Sequence, residues 1–178
     1  MKITTKLKII RGSTTIFLAA IIFICGFFPE LNIQIAAAVL SGCILGGIQG
    51  AGSAGIFIIT QFLSSGFSLE QIGNFMAIFT STFISGLIAG SPSISEKKFS
   101  SKIFCRIFSG CTAGFCIYYF FESLFYKNLN WTYFLPADIF KCIGIIIFSI
   151  TIRPKIATVL FPPKETEKEI EELIKKLK

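Results

Sequence analysis

Ser13 to Phe28 reads STTIFLAAIIFICGFF, without a charged side chain, and stretches of this kind recur along the chain. A helix needs about 20 mostly apolar residues to cross a bilayer. On that rule the sequence predicts spans over 13–28, 33–45, 48–63, 72–89, 103–125 and 137–160. The second and third are short and glycine-rich, and they meet at GGIQG, residues 46–50. They read either as a tight helical hairpin or as irregular backbone shielded by neighbours. Four spans is the alternative count if this middle section does not cross.

Composition agrees with a membrane protein. Hydrophobic residues make up 53% of the chain and charged residues 15%, against roughly 45–50% and about 25% in soluble domains. The 21 phenylalanines suit contact with lipid tails. The first segment, with its basic start, imitates a signal peptide. Ile24 is bulky where a small residue is wanted, and no A-x-A-like site follows, so the sequence predicts a retained span.

The net charge of +7 does not indicate nucleic acid. Lys2, Lys6, Lys8 and Arg11 precede the first span, and Lys97, Lys98, Lys102 and Arg106 lie around the start of the fifth. Arg153, Lys155 and Lys164 follow at the end of the sixth. Basic residues then gather on one side only when the spans are even in number and both termini are cytoplasmic. The expected fold is therefore an all-α membrane protein, a compact bundle of six transmembrane helices. It occupies residues 1–161, and an amphipathic tail helix with a stripe of Ile170, Leu173, Ile174 and Leu177 occupies 162–178. That tail reads as an interfacial helix or, less simply, as a partner-binding one.

Small residues recur four apart at Gly42/Gly46, Gly46/Gly50, Ala51/Gly55, Gly86/Gly90 and Gly110/Gly114. Such pairs let helix backbones approach in lipid, either within one chain or against a partner. The six cysteines all fall within apolar runs and read as small, membrane-compatible residues. There is no histidine, no convincing Ser/Lys arrangement and no pair of carboxylates for acid–base work. The chain reads as a protein without catalytic activity or a cofactor.

The sixth span opens FLPADIFKC. Pro136 suits a first helical turn, Asp138 then lies near the positive end of the helix dipole, and Lys141 shares its face at i+3. The two residues either neutralise each other or face a polar chamber. Charges in a span cost about 2.5–3.5 kcal/mol at mid-helix, which favours the chamber. It would hold a molecule offering N–H donors and a carbonyl, or one carrying a carboxylate. Trp131, Tyr133, Phe134 and Tyr119 are candidate apolar walls.

The segment YFLPADIFKCIGIIIFSITIRPKI resembles the C-terminal signature of the BioY family, the biotin-binding S components of energy-coupling factor (ECF) transporters. Pro136, Asp138 and Lys141 match its Pro-x-Asp-x-x-Lys pattern. LNIQIAAAVLSGCILGGIQGAGSAG is similar to the glutamine-containing second helix of that family and places Gln34 on the family glutamine. The chain departs from the family over TQFLSSGFSLEQIGNFMA, residues 60–77.

The resemblance implies biotin as ligand, held by Asp138, Lys141 and Gln34, in a bacterial cytoplasmic membrane. Asp138 would accept from the ureido N–H groups and Lys141 would donate to its carbonyl; the reverse orientation, Lys141 on the valerate carboxylate, stays open. It also implies uptake energised by separate ATPase subunits through a transmembrane coupling protein, since this chain has no phosphate loop. Thr15/Ala19 is the best candidate for a small-residue docking pair. Another vitamin, or a structural role for the bundle, are the alternatives.

Overall fold

A computed structural model describes residues 3–28, 33–65, 68–92, 100–125 and 131–160. The tail helix expected over 162–178 lies outside the described residues. Six helices follow in order: α1 (Ile3–Cys25), α2 (Ile33–Leu45), α3 (Gly47–Ser65), α4 (Leu69–Ala89), α5 (Ser101–Phe125) and α6 (Trp131–Leu160). No strand occurs among the described residues. Stretches in α1, α4 and α5 (Lys8–Cys25, Gln71–Ala89 and Ser101–Phe125) are long and apolar enough to cross a membrane, and α2 is a shorter apolar helix. At 13 residues, α2 is about 20 Å long, against about 30 Å for a bilayer core.

The glycine-rich middle forms the helical hairpin. Gly46 alone separates α2 from α3, at φ +84°, a left-handed conformation that favours glycine. Around this turn the helices run antiparallel and touch backbone to backbone. A Cβ on Gly50 would sit 2.6 Å from the Gly42 Cα. One turn further on, the Ser53 hydroxyl donates to the Ser41 Oγ at 2.9 Å.

Helix α4 packs against α2, α3 and α5, and glycines bring its neighbours close on two sides. A Cβ on Gly86 would meet the backbone of Gly46 and Gly47 at 2.6 Å. From α5, Gly110 and Gly114 lie against Ser85 and Ser81. The buried hydroxyls of Ser81, Thr82 and Ser85 bond carbonyls of their own helix, so the contact surface carries no unpaired hydroxyl there. These glycines pack internally, which resolves the choice the sequence left open. Thr15 and Ala19 also face inward: Ala19 is buried, and the Thr15 methyl lies against Gly52 of α3. Ala19 is thus covered within the bundle, whereas Thr15 stays half-exposed.

The start of α4 is set by a capping box. Ser68 accepts from the Gln71 N–H, and the Gln71 side chain accepts from the Ser68 N–H. This adds a turn before Ile72, where the sequence pattern placed the start.

The contacts define an up-and-down bundle. Gln34 at the start of α2 lies against Gly26 at the end of α1, and Gly73 near the start of α4 lies against Phe125 at the end of α5. The Gly46 turn and the end of α4 meet at the opposite end. Around the outside, Ile16, Phe17 and Ile24 of α1 and Ile139, Phe140, Ile147 and Phe148 of α6 are exposed. A surface so rich in large apolar side chains suits lipid rather than water.

Candidate functional site

Helix α6 begins at Trp131, not at Pro136. The hydrogen bond that Pro136 cannot donate is the one Thr132 would accept in the opening turn, so the helix forgoes only a terminal bond. Asp138 is therefore about 10 Å along the axis from the helix start. The dipole falls off within the first turn, so it does not explain the carboxylate.

Side chains explain it instead. Lys141 Nζ lies 2.8 Å from Asp138 Oδ1. The Tyr119 hydroxyl, from α5, donates to Asp138 Oδ2. Tyr119, considered from sequence only as an apolar wall, is thus a polar partner. Asp138 is 6% exposed, and the Lys141 side chain is 18% exposed. A buried carboxylate held by an ammonium and a phenol is tolerated; alone it would be costly.

Beside this group a groove of about 460 Å³ runs between α5 and α6. Its walls run from Phe108 to Tyr119 on α5 and from Asp138 to Ile146 on α6, and they are almost wholly apolar. Asp138 is its charged residue; Lys141 bonds the carboxylate without lining the groove. Gln34 does not line it either, since its amide lies against Gly26, between α1 and α2. The side chains of Trp131, Tyr133 and Phe134 lie outside the described residues. A second apolar hollow of about 380 Å³, lined by Phe62 and Phe75 among others, lies between α3 and α4, in the segment that departs from the family pattern.

Sequence reasoning missed Arg153. Read as a topology signal, it is 1% exposed and reaches into the bundle. It donates to the Cys43 carbonyl at the end of α2, and to the Ala89 and Gly90 carbonyls at the end of α4 at 3.2 and 3.1 Å. The last carbonyls of a helix lack partners within it and carry the negative end of its dipole. One planar guanidinium satisfies several such groups at once, which an ammonium cannot. The signal in the sequence was an arginine inside an apolar run that continues beyond it for several residues.

Among the described residues, fold and site together define an all-helical architecture, with three helices able to span a bilayer and a charged group at the edge of an apolar groove. Comparison with family models, curated proteins and solved structures finds no match to this chain.

Proposed function

We propose that this chain is a six-span membrane protein that captures a small molecule in the α5–α6 groove, and that the molecule is biotin. The observation that carries the reading is the buried Asp138 carboxylate, held by Tyr119 and Lys141 at the edge of an apolar groove. A volume of about 460 Å³ falls within the usual range of roughly 300–1,000 Å³ for small-molecule pockets. A carboxylate offers about four acceptor positions; Tyr119 and Lys141 occupy one on each oxygen. The remaining capacity suits the N–H donors of a cyclic urea, with the apolar ring and chain against Phe115 and Ile146. The choice of biotin over another such ligand comes from the resemblance of the α6 segment to the BioY family. That resemblance also supplies the expected ATPase and coupling subunits.

The basic residues support an orientation with both termini inside. Thr15 of α1 lies level with Gly52 of α3, close to the Gly46 turn, so Lys8 and Arg11 fall at the end that also holds Arg106 and Lys155. Excess Lys and Arg at one end marks the cytoplasmic side. Asp138 and Lys141 then lie toward the outer half.

Replacing Asp138 by Asn removes charge-assisted hydrogen bonds worth about 1.5–3 kcal/mol, a loss of about tenfold to a hundredfold in biotin affinity. Lys141→Ala weakens binding in the same direction. Both variants keep the inserted fold, checked by thermal melting in detergent. Unchanged affinity in both overturns the reading. A second reading rests on Lys141 not lining the groove: the pair serves only to neutralise itself inside a structural bundle. It predicts no saturable ligand, and effects of these variants on stability alone.

A further inference from the structure

The groove beside Asp138 opens sideways. Phe108, Thr112 and Cys116 on α5 and Ile139 and Ile143 on α6 are exposed and form its rim. Phe115, Asp138 and Ile146 are buried and form its floor. On the surface of α6, Ile143 has Phe140 and Ile147 as neighbours at i−3 and i+4, and both are exposed. An opening framed by large apolar side chains faces lipid rather than water. From Asp138 the groove follows α6 to Ile146, about 12 Å along the axis. Ile146 stands midway along the 30 residues of α6. With α5 and α6 crossing the bilayer, the far end of the groove lies in hydrocarbon.

Donors and acceptors are unequally placed along it. Asp138 is the charged residue of the groove, and it is negative. The Lys141 ammonium, bonded to that carboxylate, does not line the groove. The Tyr119 hydroxyl donates to Asp138 Oδ2, and the Thr112 hydroxyl to the Phe108 carbonyl at 2.9 Å. The other side-chain polar hydrogens are the Cys116 and Cys142 thiols, and thiols are weak donors. The groove therefore accepts N–H groups at one end and offers an anion nothing at the other. An ionised carboxylate lying toward Ile146 would lose its water without gaining a partner, in a groove that already holds the Asp138 charge. That costs far more than burying a neutral amide or ester.

We propose, building on capture of a small molecule in this groove, that the groove selects its occupant by charge. An N–H-bearing head is held at Asp138, and the end lying toward Phe108 and Ile146 is uncharged. Such a molecule reaches the site through the open side of the groove, from the hydrocarbon. Among biotin and its derivatives, the groove favours those whose valerate carboxylate is masked as an amide or ester. Biotin itself carries an ionised carboxylate at neutral pH.

The test is equilibrium binding of radiolabelled biotin and radiolabelled biotinamide to the purified, detergent-solubilised full chain at neutral pH. Biotinamide has the same rings and chain but no charge. The expected result is saturable binding in which biotinamide is the tighter of the two, by about tenfold or more. Thr112→Lys places an ammonium on the rim toward the far end and should narrow or reverse that preference. Saturable binding with biotinamide no tighter than biotin overturns the charge selection and leaves ligand capture standing. So does a preference that a folded Thr112→Lys chain keeps in full. Saturable binding of neither molecule overturns both the selection and the capture.

Discussion

Arg153→Met removes the guanidinium that joins α6 to the ends of α2 and α4 while keeping an apolar side chain in its place. It leaves the Cys43, Ala89 and Gly90 carbonyls without that donor. Each buried group left unsatisfied costs about 1–3 kcal/mol. Against this, the variant no longer buries a charge, which returns several kcal/mol. The net expectation is a loss of about 3 kcal/mol. For a chain of this size that lowers the melting midpoint by about 6–12 °C. The assay is thermal unfolding of the purified protein in detergent, followed by circular dichroism. Arg153→Lys should fall between the two, because one ammonium lacks the planar fork. If Arg153 acted only as a topology signal, the methionine variant would melt with the unaltered protein and change only its orientation in the membrane. A midpoint within a degree or two of the original would refute the clasp.

Gly42→Ala places a Cβ 2.3 Å from the Thr82 carbonyl oxygen, and overpacking of this kind costs about 1–3 kcal/mol. Gly144→Ala in α6, with nothing within 4 Å of its Cβ, should be neutral or stabilising by up to about 1 kcal/mol on helix propensity; melting of the two variants side by side checks the contrast. Tyr119→Phe removes one donor from Asp138 and frees an acceptor position facing the groove. Under the biotin reading it tightens or preserves affinity, and a tenfold weakening in equilibrium binding would instead make the phenol a ligand contact. Ser68→Ala should cost about 1 kcal/mol of stability by breaking the α4 capping box, and hydrogen exchange at the first turn of α4 should report fraying there.

Helix number and placement were legible because apolar run length and glycine spacing are local properties of the sequence. The span from Ile33 to Leu45 coincides with α2, and the tight-hairpin alternative holds around Gly46. The earlier start of α4 was also written in the sequence: Ser68 and Gln71 have capping-box spacing, but hydropathy does not register caps. The start of α6 was misplaced because Pro136 resembles a helix opener. A proline one turn inside costs little when the bond it forgoes is terminal.

The site was legible only along α6. Spacing put Asp138 and Lys141 on one face, but Tyr119 lies 19 residues away on another helix, and only packing brings its hydroxyl to the carboxylate. Arg153 and Cys43 are 110 residues apart, a separation at which no local pattern announces a contact. Gln34 was placed beside the ligand by resemblance, whereas its amide lies against Gly26.

The central claim is that the groove beside Asp138 receives a small molecule. Equilibrium binding of labelled biotin to the purified, detergent-solubilised chain tests it most directly. The account predicts saturable uptake of one biotin per chain, displaced by unlabelled biotin and weakened about tenfold to a hundredfold when Asp138 is changed to Asn. An absence of saturable binding, or binding that the Asp138→Asn chain retains in full, would contradict it.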